Sequence, residues 1–238
     1  MSTAAPKTTE RIIDASLALF NARGFSNVPL SAIAMEVGIS PGNLSYHFKS
    51  KADIVMAVFP QLQAALAESK RTGEDFIPKE GVRRLLEMFQ TMWRYRFFFN
   101  GLLQLIADDR TMRKRYLELE GGMIESIQRI LDELTVQGYI VPTAPWFSTH
   151  MWARSWWMMW LSWLRYEQLE SPRSMRPRDS ALYEAVVLTI GAGQPYFRKD
   201  IVEAMLTALE AELPGGGLPI PTGRVPTIRK RRRTTVER

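Results

Sequence analysis

The tryptophan-rich stretch in the second half of the chain limits the possible folds more than any other feature. Six of the seven tryptophans fall within residues 146–163. Four of them recur every three or four residues and predict a helix with an aromatic stripe: Trp152, Trp156, Trp160 and Trp163. Because Trp157 and Met158 fall on other faces, this helix must be buried on several sides. The fold therefore needs several further elements packed around it.

The remaining sequence also places apolar residues at helical spacing. Four helices are expected before residue 70, and the first two end at glycines 24 and 38. Further helices are predicted near 79–106, 109–137, 146–169, 180–192 and 196–212. No alternating apolar run bounded by turn residues occurs, so strands are not expected. We predict an all-α protein in which a small N-terminal domain precedes a larger helical domain.

The composition argues against several classes of function. The chain contains no cysteine and only two histidines, His47 and His150. Neither a thiolate site nor a multi-histidine metal site is therefore expected. The sequence has no G-x-S-x-G motif, no phosphate-binding glycine loop and no recognisable pair of catalytic carboxylates. We expect neither enzymatic activity nor a cofactor.

The excess of positive charge is confined to the C-terminal end. Residues 213–238 carry seven Lys or Arg and one acid, whereas residues 1–212 carry 24 charges of each sign. This end is rich in Gly, Pro and Arg, and we expect a disordered tail. Its basic run at 229–233 either adds a sequence-independent contact with DNA phosphates or only improves solubility.

No segment has the features of an export signal or of a membrane span. The first residues lack an apolar core, as an exported protein would need. The ten-residue apolar segment 155–164 lies between Arg154 and Arg165, and a span needs about 20 residues. A cytoplasmic protein without membrane attachment is expected.

Residues 24–51 carry the pattern of a helix-turn-helix. A short helix with small residues ends at Gly38, where a three-residue turn requires an unusual backbone angle. Ser40 is placed to cap the next helix. In that helix Leu44 and Phe48 face the core, while the polar side chains between them face outward. Such a helix fits the major groove of duplex DNA.

This segment resembles the DNA-binding domain of the TetR family of bacterial transcriptional regulators. The matching residues are Arg23, Gly24, Phe25, Ile33, Ala34, Val37, Gly38, Ile39, Ser40, Gly42, Leu44, Tyr46, His47, Phe48, Lys49, Ser50 and Lys51. Beyond them the resemblance is one of length and helical pattern. It implies a helix-turn-helix domain at 1–52, an effector-binding and dimerisation domain at 53–212, and a basic tail at 213–238.

The resemblance also implies which side chains contact DNA. The residues on or near the recognition helix, with two flanking positions, are Ser31, Pro41, Gly42, Asn43, Ser45, Tyr46, His47 and Lys51. Tyr46 and His47 would contact phosphates or base edges, and Lys51 would contact a backbone phosphate. From the residues alone, Tyr46 could instead serve packing, and His47 could be a solvated surface histidine.

Two departures from the family pattern leave a second function open. Ser45 stands where many members have Tyr, which removes one expected contact with DNA. Val28–Pro29 replaces the Ser or Thr that commonly opens the second helix, and Asn27 is then the nearest capping residue. The alternative function is a helical dimer that binds small molecules without sequence-specific DNA binding.

The resemblance implies that a homodimer binds a palindromic operator. Two recognition helices about 34–36 Å apart would contact the two half-sites. The last two long helices, near 146–169 and 180–212, would form the dimer interface. Small residues suited to close packing occur in the second of them, among Ala181, Ala185, Val186, Leu188, Thr189 and Gly191. A small effector that favours a conformation unable to fit the operator would make the protein a repressor.

The aromatic and methionine side chains of the larger domain form either core or the wall of an effector cavity. The candidate wall residues are Trp93, Phe97, Phe98, Met112, Trp152, Arg154, Trp156, Met159 and Trp160. If Arg154 is buried, it needs an anionic partner, either an internal acid or an effector carboxylate; otherwise it reaches solvent. Arg94 and Arg96 are expected to be surface charges. The effector would be hydrophobic or amphipathic, with an acidic group as one option.

Overall fold

Helices make up the regular structure, as the spacing of the apolar residues predicts. The computed structural model describes residues 7–68, 77–107, 109–141 and 143–213. These ranges contain eleven α-helices and, as their only strand pairing, one isolated antiparallel bridge between Ile140 and Phe197. The helices are α1 Thr8–Arg23, α2 Leu30–Val37, α3 Pro41–His47, α4 Lys51–Glu68, α5 Pro78–Arg94, α6 Arg96–Asn100, α7 Leu102–Ile106, α8 Arg110–Val136, α9 Thr149–Glu170, α10 Asp179–Gly193 and α11 Lys199–Glu212. The predicted all-α fold is confirmed.

Helices α1 to α3 form what we call the N-terminal unit. α1 buries an apolar stripe that includes Leu17 and Phe20. α2 ends at Gly38, whose φ of 73° lies in the left-handed region that favours glycine. The N–H of Ile39 donates to the carbonyl oxygen of Ala34 at 3.0 Å and closes the turn into α3. The predicted helix-turn-helix is therefore present.

Asn27 does not cap α2, contrary to the prediction. Its Nδ2 donates to the carbonyl oxygen of Arg23 at 2.9 Å, so the side chain completes the end of α1 instead. The 3₁₀ turn Phe25–Asn27 brings this side chain back towards α1. α2 begins after Pro29 without a side-chain hydrogen bond at its N-cap.

α4 connects the N-terminal unit to what we call the C-terminal body, α5 to α11. It packs against both α1 and α5, and its Phe59 ring lies 5.6 Å from the ring of Phe98 in α6. The domain boundary that we predict at residue 52 falls within α4 and remains a prediction. Of the basic tail predicted at 213–238, residues 214–238 lie outside the described residues.

The single helix predicted over 79–106 is wrong, because α5, α6 and α7 occupy this range. The break after Arg94 depends on Asn21 of α1. Its Nδ2 donates to the carbonyl oxygen of Arg94 at 2.8 Å, and its Oδ1 accepts from the N–H of Phe97 at 3.0 Å. The amide thereby satisfies backbone groups at two helix ends. At Gly101 an added Cβ would come within 2.8 Å of the Phe97 carbonyl oxygen, so the corner between α6 and α7 requires glycine.

α9 is buried on several sides, as its tryptophans predict. It packs against α5, α6, α8 and α10, and Trp157 is fully buried. One stripe remains exposed and consists of Met151, Arg154, Ser155, Met158, Ser162, Arg165, Tyr166 and Leu169. Among the described helices none is long and apolar enough to cross a membrane.

α10 uses most of its small residues inside the protomer. Four of those expected at a dimer interface are buried in the core: Ala181, Ala185, Val186 and Thr189. Trp160 of α9 explains part of this burial, because its Nε1 donates to Thr189 Oγ1 at 2.9 Å. Leu188 and Gly191 are exposed, so only these two of the six are free for contacts outside the protomer.

Candidate nucleic-acid interface

The helix α3 presents its polar residues to solvent. Ser40 caps it, because its Oγ accepts from the N–H of Asn43 at 3.2 Å. Leu44 and Phe48 are buried and hold the helix against the rest of the N-terminal unit. The other predicted contact residues between them and the cap are exposed: Pro41, Gly42, Asn43, Ser45 and Tyr46.

Tyr46 and His47 lie side by side at the end of α3. Tyr46 is 87% exposed, so packing within the protomer does not explain it. His47 is half-buried, and its Nδ1 lies 3.3 Å from Oγ1 of Thr9 in α1. The two rings meet edge to face with centroids 5.5 Å apart. His47 is thus positioned by α1 and is not a freely solvated side chain.

The two flanking residues predicted to contact DNA lie in different settings. Ser31 is exposed in the first turn of α2. Lys51 Nζ donates to the carbonyl oxygen of Phe25 at 2.7 Å and lies 4.5 Å from the centroid of the Phe25 ring. Partial burial lowers the pKa of Lys51. This ammonium group therefore already makes contacts inside the protein.

Lys49 is a residue that the sequence prediction left out. It is exposed directly after α3, where a cation can approach a phosphate without giving up contacts such as those of Lys51. The signal for it was available, because Lys49 belongs to the same Lys49–Ser50–Lys51 motif.

The predicted effector wall separates into two groups of buried side chains. The first lies next to the N-terminal unit, where Phe97 packs on Phe20 at 5.3 Å and Phe98 on Tyr116 at 6.2 Å between ring centroids. Two further members of the predicted wall are buried on α5 and α8: Trp93 and Met112. This group joins the two parts of the molecule.

The second group follows α9 away from the N-terminal unit. Trp152 and Trp156 contact Phe197 at 5.6 and 6.4 Å, and Trp160 stacks on Trp156 at 6.0 Å. Met159 is half-buried. The indole N–H groups of Trp152 and Trp156 are buried without a hydrogen-bond partner among the described residues.

Comparisons with known proteins agree with this arrangement of a helix-turn-helix and a helical body. The family model described as "Bacterial transcriptional repressor" (TetR) matches residues 61–204. A second model, described as "Bacterial regulatory proteins, tetR family", matches residues 12–58. The chain belongs to the TetR family. It is therefore a DNA-binding regulator of transcription with a helix-turn-helix at its N-terminus.

Individual TetR-family relatives match different shares of the chain. The regulator SrpR of Pseudomonas putida is 26% identical over 142 residues, which cover 56% of this chain and 64% of SrpR. UidR of Escherichia coli K12 is 38% identical over 63 residues, or 26% of this chain and 32% of UidR. The chain thus spans less than two thirds of the length of these curated relatives.

A solved structure extends the similarity over most of the TetR-family fold. The crystal structure of a TetR-family transcriptional regulator from Marinobacter aquaeolei VT8 has a TM-score of 0.76 and 26% sequence identity, and covers 88% of this chain and 100% of that chain.

Two arginines of this TetR-family protein lie where the sequence analysis did not place them. Arg154 is exposed on the outer stripe of α9, so the premise that it is buried against a ligand is wrong. Arg96, expected at the surface, is only 2% exposed. The break between α5 and α6 explains the second difference, because it directs Arg96 inward while Arg94 remains exposed.

Arg96 is held by carbonyl oxygens and not by a carboxylate. Its Nη1 donates to the carbonyl oxygen of Trp93, and its Nη2 to that of Ser174, both at 3.0 Å. The guanidinium carbon lies 4.4 Å from the Trp93 ring centroid. Nε has no hydrogen-bond partner, and no ion pair joins Arg96 to a carboxylate of the described residues. Burial lowers the pKa of Arg96 to about 10, so the group stays charged at neutral pH.

Proposed function

We propose that this TetR-family regulator is a homodimeric repressor. It binds a palindromic operator through α3 and is released when a small hydrophobic or amphipathic molecule binds the C-terminal body. The exposed polar face of α3 is the observation on which the proposal rests, because Tyr46 projects into solvent from a helix that Leu44 fixes in place. A large exposed aromatic side chain on an anchored helix favours contact with a partner.

The proposed DNA surface combines α3 with its flanks. It consists of Ser31, Pro41, Gly42, Asn43, Ser45, Tyr46, His47 and Lys51, with Lys49 added from the structure. Hydroxyl, amide and imidazole groups can bond to phosphates and base edges, and the lysines favour phosphates. One such surface makes few contacts, so specificity calls for a second copy at the spacing of one helical turn, about 34–36 Å.

We assign the dimer interface to the outer faces of α9 and α10. Met151, Met158 and Tyr166 leave apolar surface exposed along one stripe of α9. Ser155 and Ser162 lie on the same stripe, and each hydroxyl donates to a carbonyl oxygen four residues earlier, at 2.9 and 3.1 Å. A partner helix can therefore approach these serines closely without leaving their hydroxyls unpaired. The exposed Leu188 extends this surface onto α10.

The effector region that we propose lies among the buried aromatic side chains of the body. Its candidate residues are Trp93, Phe97, Phe98, Met112, Trp152, Trp156, Met159 and Trp160. Phe97 packs on Phe20 of α1, so a change in this group bears directly on the N-terminal unit. A difference in effector affinity of about 1–3 kcal/mol between two conformations is enough to regulate binding.

A gel-shift experiment with the DNA upstream of the protein's own gene tests the proposed function. The wild type should bind at low salt, and the double variant Tyr46→Ala, His47→Ala should bind at least tenfold more weakly, equivalent to a loss of about 1.4 kcal/mol. Sedimentation should show the same dimer fraction for both proteins. Trp146→Ala serves as the control, because Trp146 is an exposed aromatic residue far along the chain from α3.

Absence of binding to every adjacent promoter at low salt would contradict the repressor. A dimer that binds small molecules without sequence-specific DNA binding would then remain. If the double variant loses its fold as well as its DNA affinity, Tyr46 and His47 serve packing and the proposed contacts are wrong.

A further inference from the structure

We propose that Arg96 is the anion-binding residue of the effector site and that it takes the carboxylate of a small amphipathic acid. This assignment rests on the function proposed above, because it names the chemical class of the effector. It moves the role considered for Arg154 to a residue on a different helix.

The first step is the missing counter-charge. A buried guanidinium is stable when a carboxylate or another anion pairs with it, and burial without such a group is costly. Arg96 is buried, and its partners among the described residues are two neutral carbonyl oxygens, those of Trp93 and Ser174. An external anion would supply the charge that these partners lack.

The second step is the geometry of the unused donor. The Nε–H and one Nη2–H of a guanidinium point the same way, and together they match the two oxygens of a carboxylate. In Arg96 the Nε atom has no partner. Asn100, one turn further along α6, also has a buried polar atom without a partner, its Oδ1. Residues four apart share a helix face, so an incoming polar group meets both atoms.

The third step is the charge of the segment above Arg96. Residues 171–178, the loop between α9 and α10, contain three arginines and no acid. Arg173 and Arg176 are exposed, whereas Arg178 pairs with the buried carboxylate of Glu167 at 2.6 Å. Exposed cations around an entry point raise the local concentration of anions. The charge therefore favours an anionic ligand over a cationic or neutral one.

The fourth step links the ligand to the rest of the protein. Ser174 lies in this loop, and its carbonyl oxygen accepts from both Arg96 Nη2 at 3.0 Å and Trp93 Nε1 at 3.3 Å. A carboxylate is a stronger acceptor than a peptide carbonyl, so it competes for Nη2 and frees the loop. The loop joins the two helices that carry the proposed dimer surface, so occupation of Arg96 changes their connection.

Calorimetric titration of the full-length protein without DNA tests the proposal. The probes are octanoate and 4-phenylbutyrate, with octan-1-ol and 4-phenylbutan-1-ol as uncharged matches. We expect wild type to bind each acid more tightly than its alcohol. Arg96→Met should weaken acid binding roughly 10- to 100-fold, as expected for a charge-assisted hydrogen-bonded pair, and Arg96→Lys should lose less. Arg94→Met is the matched control, because Arg94 is exposed two residues away.

Hydrogen exchange in the wild type provides a measurement that does not depend on any variant folding. Amides of residues 171–178 should exchange faster in the presence of octanoate, because the Ser174 contact is displaced. The proposal is wrong if neither acid binds, if acid and alcohol bind equally, if Arg96→Met binds the acids like wild type, or if exchange in the loop does not increase. Since no DNA is present, failure here is distinct from failure of operator binding.

Discussion

The N-terminal unit and the C-terminal body place their functional polar groups in opposite environments. On α3 the polar side chains are exposed around Tyr46, and they lose water only when a partner arrives. In the body, Arg96 Nε and two indole N–H groups are buried without partners, so that loss has already occurred. The difference teaches that the N-terminal unit can bind a partner as it stands, whereas the body must rearrange to admit one.

The largest expected effect tests whether the body is held together by its tryptophans. Trp157 is fully buried, and its Nε1 donates to Oε1 of Glu120 at 3.1 Å. Trp157→Ala should lower the free energy of unfolding by about 3–5 kcal/mol, measured by urea denaturation. Trp146→Ala, at a residue 76% exposed, should change it by less than about 0.5 kcal/mol. Equal effects of the two variants would mean that burial does not distinguish these tryptophans energetically.

A smaller effect is expected at the cap of α3. Ser40→Ala removes the hydrogen bond to the Asn43 N–H and should lower the free energy of unfolding by about 1 kcal/mol. Operator affinity in gel shifts should fall as well, because the first turn of α3 carries contact residues. Ser40→Asn keeps a capping oxygen and should retain both properties. A stable Ser40→Ala protein with full affinity would show that α3 does not need its cap to bind DNA.

The smallest effect concerns two lysines at the edge of the DNA surface. Each phosphate contact contributes roughly 0.9 to the slope of log affinity against log salt concentration. Lys49→Ala should reduce that slope by about this amount, whereas Lys51→Ala should reduce it less, because Phe25 already holds the Lys51 ammonium. Fluorescence anisotropy at several salt concentrations measures both slopes. The reverse order would show that Lys51 leaves Phe25 to reach DNA.

The N-terminal unit could be predicted because its signals are local in sequence. A cap at Ser40, a turn at Gly38 and the spacing of Leu44 and Phe48 lie within a few residues of one another, and they determine which side of α3 faces outward. The break between α5 and α6 could not be predicted in this way. It depends on Asn21, more than seventy positions earlier in the sequence, and apolar spacing carries no record of such a contact.

The two arginines show the same limit for the site in the body. Arg154 interrupts an apolar sequence, yet it lies on the one stripe of α9 that is exposed. Arg96 stands in a sequence with charged neighbours, yet the end of α5 turns it into the core. Burial of a charge depends on which helices surround it, so composition within a single helix identified the kind of group and missed the residue.

Asn21 has a mechanical consequence for how the molecule changes shape. One flat amide bonds to Arg94 and Phe97 at once, and because its two ends cannot move independently, both bonds break or form in a single event. α1 is therefore either seated on this corner or detached from it, with no stable intermediate tilt. Small strains from the body are absorbed until they reach a threshold, beyond which the whole unit lets go.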